Sequence, residues 1–159
     1  MDLLAILMNS LWAGLFAGGL GILLTAPLRY IAPAFLCGFA GRFARDAFMS
    51  WGLSQNWSTA VAAAVVVLVA VAIVRRNVVS PVVLVSGVLP LGAAVAMFNA
   101  IIALMKVSHL EGEALSGASV ALSANIGKVF TTSLAIALGL GAGMAIVRLF
   151  RREEVREGV

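Results

Sequence analysis

Four stretches of the chain, residues 3–28, 47–74, 77–105 and 129–147, contain no charged side chain. A helix needs about 20 apolar residues to cross a hydrocarbon core of roughly 30 Å, and the first three stretches exceed that length. In lipid every backbone polar group must be satisfied internally, so a spanning segment is a helix or part of a closed barrel. Barrel strands alternate apolar and polar residues. The runs here are continuous, which selects helices. The surplus of apolar residues cannot be hidden in a soluble fold either: 62% of the 159 residues are hydrophobic and 11% are charged, against about a quarter charged in soluble domains, and burial in a domain of this size is limited by surface-to-volume scaling. The expected fold class is all-α: a polytopic membrane protein of about five transmembrane helices, one broken at mid-span. It forms a single transmembrane domain over residues 1–159, with 151–159 a short charged cytoplasmic tail.

The first residues, Met-Asp-Leu-Leu, lack the positive region of a cleavable signal, and the apolar stretch that follows is too long for one. The single cysteine, Cys37, excludes an intrachain disulfide and a cysteine-based metal cluster. It reads as a buried structural thiol. The net charge of +4 does not point to nucleic acid, because the basic residues are scattered at span ends rather than clustered.

Span 1 is expected over residues 3–24. Its Gly14 and Gly18 form a GxxxG pair, which serves either close packing within the chain or a dimer seam. Pro27 breaks the helix. Span 2, residues 30–49, must carry Arg42, Arg45 and Asp46. Arg42 and Asp46 are four apart, share a face and are expected to pair. The arginines either snorkel to the interface or leave one guanidinium to attract an anion. Trp51 and Trp57 flank a polar loop, as at a membrane–water interface. Span 3, residues 58–74, ends at Arg75, Arg76 and Asn77. Span 4, residues 78–105, contains Gly87, Pro90 and Gly92, and proline removes a backbone donor and clashes with the preceding turn. Two half-helices are therefore expected to meet near 89–93. A loop with Lys106, His109, Glu111 and Glu113 follows. Residues 114–150 are too long for one perpendicular span and read as a single long tilted helix. The alternative is a re-entrant segment over 114–128 before an ordinary span.

Orientation follows from the basic residues. With five spans, seven arginines (29, 75, 76, 148, 151, 152 and 156) fall on one side, and Arg42, Arg45 and Lys106 on the other. This asymmetry places the N-terminus outside and the C-terminus in the cytoplasm.

The residues do not suggest an enzyme. The chain has one histidine, no nucleophile elbow, no phosphate loop and no carboxylate pair within a span. The features with chemical potential are the broken helix and the polar groups in lipid. Interrupted helices offer backbone groups and dipole ends to substrate at mid-membrane in transporters, and intramembrane charges mark substrate or ion paths. Lys128 and Asn125 are three apart on one helix face. His109 reads as a solvated loop residue.

The order of features resembles a known family. Gly52, Leu53, Trp57, Ser58 and Thr59 open a span, followed by Pro81, the break at Leu89 and Pro90, a Lys-x-Ser ending at Lys106 and Ser108, Asn125, and a basic C-terminal end. Together these look like the small, YjjB-like subunit of the bacterial two-component threonine/serine exporter family. The resemblance implies a multi-pass inner-membrane secondary exporter of small amino acids or of dicarboxylates such as succinate, working with a larger membrane partner of the same family. It implies no cofactor. Where the family reads Pro-x-x-Pro-Gly, this chain has Pro90 and then Ala93 and Ala94.

These readings together name a set of substrate contacts. The break at Pro90 and Gly92 exposes backbone groups, Asn99, Asn125 and Lys128 supply polar contacts, and Arg42 supplies the counter-charge. Assembly with the larger subunit is expected, with homo-oligomerisation as the fallback. A structural or assembly subunit without substrate contact is the alternative reading. A channel has less support, because no ring-forming acidic motif is present.

Overall fold

A computed structural model describes residues 3–74, 81–109 and 113–157, all-α among the described residues. The helices are α1 (Leu3–Leu23), α2 (Ile31–Ser50), α3 (Gln55–Val74), α4 (Pro81–Val88), α5 (Ala93–Val107) and α6 (Glu113–Glu157), with short 3-10 turns at Leu28–Tyr30 and Leu89–Leu91. The expected turn at Arg75, Arg76 and Asn77, the opening of span 4 at 78–80, and Glu111 lie outside the described residues.

Among the described residues three helices are long and apolar enough to cross a membrane: Leu3–Leu23, Gln55–Ile73 and Ala114–Phe150. The pieces on either side of the break, Pro81–Leu91 and Val95–Val107, pass that test only together, as a broken span or a re-entrant loop. The remaining helix, α2, matches α3 in length at 20 residues but carries Arg42, Arg45 and Asp46. Composition alone does not make it a span. It packs against α1, α3 and α4.

Two compact units divide the chain, one made of residues 1–91 and 135–159, the other of 92–134. The first is inverted relative to a soluble protein. Helix α1 buries Ser10, Ala13, Gly14, Ala17, Gly18 and Gly21 together with one large residue, Ile6, and exposes Leu4, Leu7, Leu11, Leu15 and Phe16. Small residues inside and large apolar residues outside is the pattern of helices that pack backbone to backbone in lipid. The GxxxG pair is used within the chain: a Cβ at Gly14 would meet the Phe35 ring at 3.0 Å, and Gly18 also faces Phe35. On the other side of this contact a Cβ at Gly38 would come within 2.5 Å of the Ala17 side chain. The core of the unit is Cys37, Ala62, Ala63, Val66, Ala70, Val83 and Leu91. The Cys37 thiol is buried there, as expected. Trp51 and Trp57 are exposed at the α2–α3 turn, where the interface was expected, and Gly52 makes that turn with φ 89°.

The second unit is a helical hairpin of α5 and the first part of α6, with Ala103 and Ala118 buried. Helix α6 itself is continuous over 45 residues, about 67 Å at 1.5 Å per residue. This resolves the two readings of 114–150 in favour of one long helix over a re-entrant segment. The helix also runs through the charged end as far as Glu157.

Candidate functional site

The break in span 4 lies where the sequence places it. The described part of α4 runs Pro81–Val88. It gives way at Leu89–Leu91 to a 3-10 turn, because Pro90 has no N–H to return to the preceding turn. Gly92 then adopts φ 112°, ψ 6°, a left-handed conformation that favours glycine, and α5 starts on the next residue. The carbonyls at the end of α4 are thereby left without helical partners.

A carbonyl of the turn that follows is met by a side chain from α2. Arg45 Nη1 donates to the Leu91 carbonyl oxygen at 2.6 Å. The approach is set one turn earlier: a Cβ at Gly41 would touch Val66 at 2.6 Å and Leu91 at 3.5 Å, so the Gly41 face of α2 lies against this end of α4. Arg45, four residues on, shares that face. Its side chain is 7% exposed, and its Nε has no partner among the described atoms. Of the two readings of the arginines, burial excludes snorkelling for Arg45. The neighbouring pair forms as the spacing predicts, with Arg42 Nε donating to Asp46 Oδ2 at 3.0 Å. Asp46 is buried and Arg42 half-buried. Ser86, in the last turn of α4, is buried with its hydroxyl unpartnered among the described atoms.

The second unit contains a cavity of about 420 Å³ between α5 and α6. From α5 it is lined by Asn99, Ile102, Ala103 and Lys106, and from α6 by Ala114, Gly117, Ala118, Ala121 and Asn125. Both sets follow helical spacing, and the floor is made of small residues. Asn125 Nδ2 donates to the Ala121 carbonyl at 2.8 Å, which leaves its second N–H to donate and its Oδ1 to accept. The opposite face of the hairpin holds a cavity of about 430 Å³ lined by apolar residues such as Met97, Ile101, Leu104, Ile126 and Phe130. The groove between α1 and α2 is likewise apolar, lined by Leu15, Ile22, Leu28 and Phe35 among others.

The structure therefore brings Asn99 and Asn125 together on one cavity and places Pro90 and Gly92 at the break. Lys128 is exposed on α6 and does not line the polar cavity, and Arg42 is engaged by Asp46. Sequence reasoning missed two residues. Arg45 was legible as a charge in a span, but not as the group that reaches the break. Lys106 was read as a loop residue. It sits in the last turn of α5, seven residues after Asn99, and that i, i+7 spacing on one helix face was the available signal. His109 is exposed in the turn after α5. Among the described residues no cluster of histidine, cysteine or carboxylate side chains is arranged to hold a metal ion.

A family model described as "Threonine/Serine exporter, ThrE" matches residues 9–150. No curated protein matches the chain, and no solved structure does.

Proposed function

The chain belongs to the threonine/serine exporter family, and from that premise we propose that it is the small membrane subunit of a secondary exporter of small carboxylate-bearing metabolites. The observation that carries the substrate side of this reading is the cavity of about 420 Å³ whose wall includes Asn99 and Asn125. Small-molecule sites combine a concave, largely apolar wall with a few placed polar groups. Threonine, serine and dicarboxylates such as succinate are the candidate substrates. Asn99 and Asn125 contribute the amide contacts of this cavity. An ion or proton gradient drives export.

The chain acts as a single transmembrane domain with a larger membrane subunit of the same family. Support for a partner comes from how little space about five helices enclose. The site of action is the bacterial inner membrane, with the N-terminus outside and the C-terminal end in the cytoplasm, as the arginine asymmetry indicates.

Deleting the gene from its producing cell tests the reading directly. Intracellular threonine, serine or succinate should rise, and return to normal on re-expression with the partner. Unchanged levels of all three would remove the proposal. A purely structural subunit would instead show loss of the complex on substitution, with Asn99→Ala and Asn125→Ala leaving export intact wherever the complex forms.

A further inference from the structure

We propose that the groove between α1 and α2 holds an acyl chain of an anionic phospholipid, whose phosphate is bound by Arg29 at the groove's end. The groove shares no residue with the α5–α6 cavity, and its ligand does not depend on what the exporter carries.

The groove has a volume of about 790 Å³. Leu15, Gly19 and Ile22 line it from α1, and Leu28, Ala32 and Leu36 from the following turn and α2. The two helices form a hairpin, so Ile22 and Leu28 stand at its turn end and Leu15 and Leu36 at its deep end. The rise along α1 from Leu15 to Ile22 is about 10 Å. That is about a third of a hydrocarbon core of roughly 30 Å, so the groove stays within one leaflet. Its rim is open, with Leu15, Ile22, Leu28 and Leu36 all exposed.

Shape selects the occupant. A helix docks in lipid along a seam of small residues that lets two backbones approach. The Gly14 and Gly18 seam of α1 is already taken by Phe35. Gly19 is open, with nothing within 4 Å of an added Cβ. Its neighbours one turn away on the same face are Leu15, Phe16, Ile22 and Leu23, all exposed. The result is a single dent between bulky side chains. A helix backbone cannot close on it, whereas a flexible hydrocarbon chain can.

Charge sets the other end. Arg29 is the one charged residue between Leu3 and Gly41, and it follows Leu28 in the turn. It is exposed and has no carboxylate partner among the described residues. Its Cζ lies 4.9 Å from the centroid of the Tyr30 ring, and Tyr30 is itself packed against the core. The ring is therefore a fixed platform for the guanidinium. Stacking on a ring face leaves the N–H edge of arginine free, and that edge matches two oxygens of a phosphate. A zwitterionic headgroup would add an ammonium beside the guanidinium, with no carboxylate in the turn to receive it. A net anionic headgroup brings no such conflict.

The test uses the complex purified with its partner and reconstituted in phosphatidylcholine bilayers. Phosphatidylglycerol with a photoreactive group in its acyl chain is added as a minor component, and labelled peptides are read by mass spectrometry. Labels should fall on residues 15–22 and 28–36, the two walls of the groove. Arg29→Gln should lower that labelling about fivefold, the worth of one cation near an anionic lipid surface. Arg148→Gln, which removes an exposed cation from α6, should leave it unchanged. Gly19→Leu fills the groove where no neighbour stands in the way and should abolish it. The same photoreactive group carried on phosphatidylcholine should label the groove several-fold less. Glycerol phosphate, which lacks the chains, should not compete. Full labelling in Arg29→Gln overturns the proposal, and so do equal labelling by the two lipids and competition by glycerol phosphate. A Gly19→Cys chain that a thiol crosslinker joins to the partner or to a second copy, with no lipid label in the groove, overturns it in favour of a groove covered by protein.

Discussion

Arg45 Nη1 donates to the carbonyl oxygen of Leu91 at 2.6 Å, tying α2 to the last residue of the 3-10 turn that follows α4. The bond spans 46 positions of sequence and joins a buried cation to the negative end of a helix, where positive charge is favoured. Replacing Arg45 by methionine keeps most of the volume and leaves the carbonyl without its donor. The expected loss is about 1–3 kcal/mol, the cost of an orphaned buried acceptor. Arg45→Lys, which retains charge and a donor, should recover part of it. Thermal unfolding of the purified complex measures both. Equal or higher stability in Arg45→Met would mean that the cost of burying the guanidinium exceeds the worth of the bond.

The Arg42–Asp46 pair makes a second, opposite test. Asp46 is 3% exposed and Arg42 28%. Asp46→Asn leaves two guanidinium groups on neighbouring turns without an anion. Breaking a buried pair costs about 3–5 kcal/mol, and the partial exposure of Arg42 puts the expected value at the low end. The double replacement Arg42→Met with Asp46→Leu removes both charges together and should destabilise less than Asp46→Asn alone. A double variant worse than the single one would contradict the pairing.

Two glycines of α6 separate close packing from mere tolerance. A Cβ at Gly139 would run into the Ala60 carbonyl oxygen and lie 2.8 Å from the Ala63 side chain, whereas a Cβ at Gly141 meets nothing within 4 Å. Gly139→Ala should cost about 1–3 kcal/mol through overpacking. Gly141→Ala should be neutral or stabilise by up to about 1 kcal/mol, since glycine is the poorer helix former. The check is the difference in apparent Tm between the two variants.

Closing the polar cavity should stop export without dissolving the complex. Asn99→Leu and Asn125→Leu each replace an amide that lines it by an apolar side chain of similar length. Each should lower threonine export about tenfold or more, as expected when a polar contact is replaced by a group that cannot reproduce it. Co-purification of the partner should be unaffected. Loss of the partner with preserved export per assembled complex would favour the structural-subunit reading.

Orientation is open to direct labelling. In a Cys37→Ser background, a cysteine at Leu53, in the exposed α2–α3 turn, should react with a membrane-impermeant maleimide added to intact cells. A cysteine at Leu28, in the exposed turn before α2, should react only after permeabilisation. The reverse pattern would invert the topology.

Much of the architecture was legible because membrane helices are specified locally. The uncharged runs, the proline at 90 followed by Gly92, and the four-residue spacing of Arg42 and Asp46 each act within a turn or two of backbone. Residence in lipid, the break and the ion pair follow from them. Even the inward use of Gly14 and Gly18 was one of the two readings their spacing allowed. The loop reading of Lys106 failed by two residues, because the apolar pattern ends at Met105 while the helix continues to Val107.

Taken alone, the sequence determined that the chain lives in a bilayer, where its helix in span 4 must break, and which charges can pair along α2. Those outcomes depend on side-chain type and on the 3.6-residue period, which any helix imposes on itself. Tertiary structure alone decided that Arg45 reaches Leu91 and that Asn99, Lys106 and Asn125 share one cavity. Both depend on the register in which separate helices meet. Register is set by small residues closing on bulky ones, as Gly41 closes on Val66 and Leu91, and no local pattern along one helix states which residue of another it will face.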